Sequence, residues 1–183
     1  SPSVPRGMFH FQSDSATRTG LTLFVLYDDY PAVIYPAHLA APLRYLTTRR
    51  EYEEISSAQE VKPAVDRFWL SLAGSYERGR ELIKKYYTRV QDANRYFTSY
   101  AEGWQTDRGI IYVVFGAPNV IYKTSNSESW IYGESGSITS LNFTFVRVEN
   151  PFTDNDYLLN RSPIYENVWF HAVEAWRQGR IYE

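Results

Sequence analysis

Cysteine is absent from this chain of 183 residues, and only three histidines occur in it. The first absence excludes thiolate catalysis, cysteine-ligated zinc and disulfides, and leaves the redox compartment open. His10, His38 and His171 stand far apart, so there is no HExxH and no histidine pair at i, i+4 to hold a catalytic metal. An excess of one charge is also missing. Nineteen basic residues face 21 acidic ones, for a formal net charge of -2, which offers no field for gripping nucleic acid or an anionic membrane surface. No apolar run approaches the roughly 20 residues of a membrane-spanning helix. The opening Ser1-Pro2-Ser3-Val4-Pro5-Arg6 lacks a signal-peptide pattern, and the chain reads as a soluble segment of a longer precursor. Gly103, Gly109 and Gly116 are not spaced as GxGxxG or a phosphate loop, which excludes the common nucleotide cradles. No metal or cofactor is expected.

What is abundant is aromatic surface, at 17% of the chain with 16 Tyr and 5 Trp. Such rings supply large buried areas, while their polar edges need hydrogen-bond partners. Trp69, Trp104, Trp130, Trp169 and Trp176 each fall on an expected inward stripe or in a turn, and read as core. A hydrophobic content of 44% with 22% charge fits one globular unit of ordinary size.

Along the chain, residues 1–20 read as a loosely ordered lead-in. Leu21–Tyr27 and Ala32–Tyr35 read as short strands, so that residues 9–35 form a hairpin or the end of a preceding β domain, with an apolar face that needs a partner. Arg49–Glu54 gives a short charged helix ending near Ser56-Ser57. Val61, Val65, Phe68 and Leu72 mark a second helix, capped by Ser56 or Ser57 and closed by Gly74. From Tyr76 to Thr98, Ile83, Tyr87, Val90, Asn94 and Phe97 share one face of a long helix. Asn94 is an amide on that apolar stripe, either capping a neighbouring loop or contacting a ligand. Ile110–Phe115 is apolar on both faces and reads as a central strand, with Gly116-Ala117-Pro118-Asn119 turning the chain into a meander of Val120–Lys123, Ser129–Gly133 and Ile138–Val148. Trp130 and Tyr132 share one face of the middle strand. Asn150–Asp156 comes near a calcium loop but lacks its Gly and its twelfth-position Glu, so a polar turn is the reading. Pro163–Gln178 closes the chain as a helix with Tyr165, Trp169, Ala172 and Trp176 on one stripe and Gly179 as its stop.

The segment Gly103-Trp104-Gln105-Thr106-Asp107-Arg108-Gly109 lies where a turn is required. Its glycines permit positive φ, Thr106 and Asp107 can accept from backbone N–H groups, and Arg108 offers a planar fork to a carboxylate or to carbonyls. Trp104 is expected to plug the turn into the core. These residues resemble the GWxTD domain, a family of envelope and secreted proteins in Bacteroidota and related bacteria. Phe68-Trp69, Tyr87, Arg89-Val90, Ala93-Asn94, Phe97, Gly116, Pro118, Trp130-Ile131-Tyr132 and Trp176–Gly179 extend the similarity over roughly residues 40–183. A departure is Leu70-Ser71-Leu72-Ala73-Gly74, where relatives often carry Arg-Asp and a Pro/Thr-containing turn. The Gly-x-Pro turn, hairpin and Trp-x-Tyr strand are also similar in shape to small SmpA/OmlA-type lipoproteins that assist outer-membrane assembly, an argument by analogy. Asp14-Ser15-Ala16 resembles the short O-glycosylation pattern of Bacteroidota periplasmic proteins.

The resulting expectation is an α+β fold: helices packed on an antiparallel sheet over residues 41–183, preceded by a lead-in and short β segment over 1–40. The resemblance implies a periplasmic or envelope-associated protein, lipid-anchored or part of a larger precursor. The function expected is a non-catalytic interaction or scaffold domain with a protein partner at the envelope, assisting secretion or outer-membrane assembly. A hydrolase-like enzyme centred on Asp107 is the alternative. The scaffold reading carries the further expectation that no deep pocket with a second titratable group in hydrogen-bond reach forms around Asp107, whose carboxylate is engaged by local backbone N–H groups or by Arg108.

Overall fold

The computed structural model describes residues 5–134 and 140–182. It is an α+β fold. Strands β1 (Gly7–Gln12) and β2 (Gly20–Val25) form a hairpin, followed by α1 (Pro36–Ala40), a 3-10 helix (Ala41–Tyr45), α2 (Arg49–Ser56), α3 (Val61–Ala73) and α4 (Tyr76–Phe97). A 3-10 turn (Gly103–Gln105) leads into α5 (Asp107–Phe115). Then come β3 (Val120–Lys123), β4 (Ser127–Tyr132), β5 (Leu141–Arg147), β6 (Tyr157–Leu159) and α6 (Ile164–Arg177). The four later strands make one antiparallel sheet in chain order, a meander as expected, with β6 as an added strand. Residues 138 and 139 of the expected third strand lie outside the described residues.

The helices follow their local chemistry. Thr48 caps α2 and Glu51 returns the contact in a capping box, while Arg49–Glu53 and Arg50–Glu54 pair at i, i+4, both at 2.8 Å. Ser75 caps α4, and Gly74 ends α3 at φ 71°. Ser56 and Ser57 do not start α3, whose N-cap is Glu60; their hydroxyls donate to Tyr52 O and Glu53 O and so satisfy the last carbonyls of α2.

Two expected strands are absent. Ala32–Tyr35 follows consecutive turns closed by Tyr30 N–H to Tyr27 O and Ala32 N–H to Asp29 O, and β1 instead recruits Gly7–Gln12 to pair with β2. Phe9, Phe11, Leu21 and Leu23 share one face of that hairpin, and Phe11, Leu21 and Leu23 stay exposed. The larger correction is Ile110–Phe115, which is the body of helix α5. A helix buried between α4, the sheet and α6 is apolar all round, so its sequence carries no amphipathic period.

The core joins the helices to the inner face of the sheet. Glu128, Trp130 and Tyr132 alternate inward along β4, opposite Phe145, Phe143 and Leu141 of β5. Trp69, Tyr86 and Trp176 meet where α3, α4 and α6 converge, Trp69 tilted against Tyr86 with centroids 5.2 Å apart and Tyr86 edge-on to Trp176 at 5.4 Å. Two of the three polar edges are used, Tyr86 donating to Pro42 O at 2.6 Å and Trp176 Nε1 to Val114 O at 2.9 Å, whereas Trp69 Nε1 is buried without a hydrogen-bond partner. Four tryptophans are fully enclosed, whereas Trp169 is only half-buried. No helix of the described residues is long and apolar enough to cross a membrane.

Helix α6 is tied to α2 by a bidentate pair, Arg177 to Glu51 at 2.9 and 3.0 Å. The Arg177 guanidinium, against an opposing cost of burial and helped by the Thr48 N–H, holds the Glu51 carboxyl down to about 2. A depressed folded value stabilises above the unfolded value and is lost as pH falls through the folded one. Wild type should therefore be more stable than Glu51→Gln by on the order of 1 kcal/mol at neutral pH, given that the pair is part-exposed. The gap should close between pH 4.5 and about 2. Denaturant midpoints measured across that range check it.

Candidate functional site

The GWQTDRG segment is a joint. Thr106 caps α5, its Oγ1 accepting from Gly109 N–H at 3.1 Å and donating to Gly103 O at 2.8 Å. Neither glycine has a positive φ. They are required by contact instead: a Cβ on Gly103 would lie 1.9 Å from Ala93 O of α4, and one on Gly109 would lie 1.8 Å from Gly103 O. The 3-10 turn is thus pressed between the backbones of α4 and α5. Trp104 fills the space beneath, buried as expected, and its carbonyl accepts from Tyr45 Oη at 2.9 Å.

Asn94 closes the joint from α4. Its Oδ1 accepts from Trp104 N–H at 3.2 Å and its Nδ2 donates to Pro31 O at 3.2 Å, so the amide caps loops on both sides. Tyr30 reinforces it, donating to Asn94 O at 3.1 Å and accepting from Gly103 N–H at 3.2 Å. The segment behind the hairpin is thereby stapled to the motif.

Arg108 points into the interior. Its guanidinium lies 3.3 Å from Glu128 Oε1, donates to Asn155 O at 3.0 Å and also to Asn155 Oδ1, and lies 4.0 Å from the ring centre of Tyr157 and 5.2 Å from that of Phe97. Glu128 also receives Trp130 Nε1 at 3.0 Å and Lys123 Nζ at 3.0 Å. Burial pushes the Glu128 carboxyl up, but the bonds from Lys123 and Trp130 and the charge of Arg108 outweigh it and leave it below the ordinary range. Asn155 carries the link onward, donating to Tyr96 O at 3.0 Å and Thr98 O at 2.8 Å at the end of α4. The loop that comes near a calcium pattern is consumed by this network: Asp154 pairs with Arg147, and Asp156 accepts from Asn150 at 3.2 Å.

Asp107 behaves differently from its neighbours. It does not cap the turn; Oδ2 crosses to the sheet and accepts from Leu159 N–H at 2.7 Å, tying the first turn of α5 to the outer edge of β6. Its Oδ1 has Arg161 Nη2 at 3.8 Å. Asp107 forms part of the wall of a cleft of about 400 Å³ between α5, β5, β6 and α6, yet its carboxylate is taken by Leu159 N–H, neither a local N–H group nor Arg108 as expected, and among the described residues no titratable group is within hydrogen-bond reach of it. The walls include Ile110, Ile111, Phe143, Tyr165, Trp169 and Phe170, with Arg161 and Glu166 as the other charged lining groups. Trp169, read as core, is one of its walls. Burial raises the phenol of Tyr45 well above its usual range, keeping it a hydrogen-bond donor to Trp104 O at the cleft's back.

Gly116, Pro118 and Tyr132 gather at the far end of α5. Gly116 ends the helix at φ 88° and its carbonyl accepts from Tyr132 Oη at 2.8 Å, with Pro118 half-buried in the turn that follows. The expected site residues therefore divide into a joint (Asn94, Gly103, Trp104, Thr106, Gly109), an ionic anchor (Arg108 with Trp130 through Glu128) and a helix stop (Gly116, Pro118, Tyr132). Asp107 reaches the cleft beside the motif, and Tyr132 lines a separate cleft of about 480 Å³ with Lys85, Arg89 and Tyr182. No group of three metal-ligating side chains comes together among the described residues. Sequence reasoning missed Glu128, whose place on the inward face could have been read from its alternation with Trp130 and Tyr132, and Arg161, which no pattern marks.

The GWxTD domain profile matches residues 7–178. The chain belongs to the GWxTD domain family. The matched region begins at the hairpin and so extends well ahead of the motif. No curated protein and no solved structure matches the chain.

In a GWxTD domain built this way, Gly103→Ala and Gly109→Ala should each cost on the order of 3 kcal/mol or more, since backbone must move to admit the new Cβ. Arg108→Lys should be destabilised by about 2 kcal/mol through loss of the fork on Glu128 and Asn155. Asp107→Ala, which leaves a part-buried Leu159 N–H without its acceptor, should lose about 1–2 kcal/mol. Urea denaturation of the four variants orders them; a wild-type midpoint for either glycine variant would refute the close-approach account.

Proposed function

We propose that this is a non-catalytic interaction or scaffold domain of the bacterial cell envelope, holding a protein partner there and assisting secretion or outer-membrane assembly. One observation carries the reading: the cleft beside the motif is walled by aliphatic and aromatic side chains and runs out to Phe170, which is 62% exposed. Apolar surface of that kind, rimmed by a few charged groups, is the chemistry of a docking site. The motif itself supports the same reading, because its residues are used in holding α4, α5 and the sheet together. Membership of a family with the envelope distribution stated for the resemblance supports the compartment.

The position of Asp107 at the cleft wall favours a second reading, a hydrolase-like enzyme. Acid–base chemistry there needs a second titratable group or a nucleophile within hydrogen-bond reach of the carboxylate. The groups that Asp107 meets are Leu159 N–H and the guanidinium of Arg161, which serve structure. None of the histidines lines the cleft.

Asp107→Asn separates the two. Its amide oxygen can still take the Leu159 N–H, so the scaffold reading expects a loss of at most about 1 kcal/mol and a partner still captured by a photo-crosslinker placed at Phe170 in cells. An Asp107→Asn protein of unchanged stability that has lost a measurable hydrolytic turnover of the wild type would replace the scaffold reading with the enzymatic one.

A further inference from the structure

The two oxygens of Asp107 are in unlike situations. Oδ2 is held by the Leu159 N–H at 2.7 Å, which fixes the carboxylate on the edge of β6. Oδ1 has Arg161 Nη2, from another residue of the cleft lining, at 3.8 Å, beyond hydrogen-bond distance. The Arg161 side chain is 83% exposed, and an ion pair so open to water is held weakly. Glu166 adds a second carboxylate from the exposed side of α6. A ligand therefore meets one anchored negative charge, one rim negative charge and one positive charge that solvent can easily draw aside.

Beside these charges the cleft is apolar, with the half-buried rings of Tyr165 and Trp169 as walls and Phe170 at the opening. Its volume of about 400 Å³ lies at the lower end of ligand pockets. That is room for a few side chains of a peptide and not for the edge of a folded domain.

We infer that the cleft binds a short peptide segment of a partner protein in which an aromatic or aliphatic side chain stands beside a lysine or arginine. The apolar side chain packs against Tyr165 and Trp169, and the basic head reaches Asp107 Oδ1 and Glu166, displacing Arg161 into solvent. This assignment rests on the reading of the domain as an interaction module and names what it holds. Charge complementarity selects the cation, while desolvation of the apolar side chain supplies most of the affinity.

The test uses the whole chain and three fluorescein-labelled peptides, Gly-Lys-Phe-Leu-Lys-Gly, Gly-Glu-Phe-Leu-Glu-Gly and Gly-Lys-Ser-Ser-Lys-Gly, followed by fluorescence anisotropy. The lysine-flanked apolar peptide should bind about tenfold more tightly than the glutamate-flanked one. The serine peptide should bind at least about tenfold more weakly as well. Phe170→Ala and Glu166→Lys, both at exposed positions, should each weaken the first peptide by about threefold or more while thermal midpoints stay within about 1 °C. Equal binding of the lysine and glutamate peptides, or binding untouched by both variants, overturns the assignment. Failure of all three peptides to bind overturns it too. The interaction reading then stands if the crosslinker captures a partner through another face, and falls if Asp107→Asn abolishes turnover.

Discussion

A guanidinium inside a protein has to be met by fixed oxygen atoms, and the place of Arg108 constrains most of this fold. Its partners come from three directions: Glu128 on β4, Asn155 from the loop before β6, and the ring faces of Phe97 and Tyr157. Each partner is itself held. Glu128 is gripped by Trp130 and Lys123, and Asn155 by two carbonyls at the end of α4. Removing the guanidinium would leave a carboxylate buried at 5% side-chain exposure with only Lys123 and Trp130 for it. Helix α4, helix α5 and the sheet are thus locked by one charge.

The same logic explains why the anchor stands next to two glycines. For Arg108 to reach Glu128, the first turn of α5 must lie close on α4, and the contact distances leave no room for a Cβ at Gly103 or Gly109. Asn94 then completes the joint with an amide that serves both a donor and an acceptor across the gap. The motif behaves as a unit because close approach, cap and anchor each presuppose the others, so pairwise deletions within it should not add.

Much of this was legible from residue order. Helix α4 shows its buried stripe in Tyr87, Val90, Asn94 and Phe97, α6 in Tyr165, Trp169, Ala172 and Trp176, and the meander in its alternation. Ile110–Phe115 was illegible in kind: apolar residues on every side erase the period that distinguishes helix from strand, and only the Thr106 cap with Asp107 behind it could have tipped the reading. The ties of Arg108 to a carboxylate and a carbonyl follow from the burial of a fork-shaped cation, but their identity depends on register. The cleft could not be read at all, since Ile111, Phe143 and Trp169 come from three segments that only the fold brings together.

Stability and recognition meet in one side chain at the edge of this joint. Asp107 gives one oxygen to the backbone of β6, has Arg161 near the other, and lines the cleft. Because β6 is only three residues long and pairs with β5 alone within the sheet, its attachment to α5 through that carboxylate fixes the cleft wall formed by Leu159. A ligand that engages the second oxygen therefore binds to a group whose position is already determined by the first, and loses little freedom in ordering it. Placing the anionic group on a strand–helix tie, rather than on a mobile loop, gives the cleft a preorganised charge without asking the motif to move.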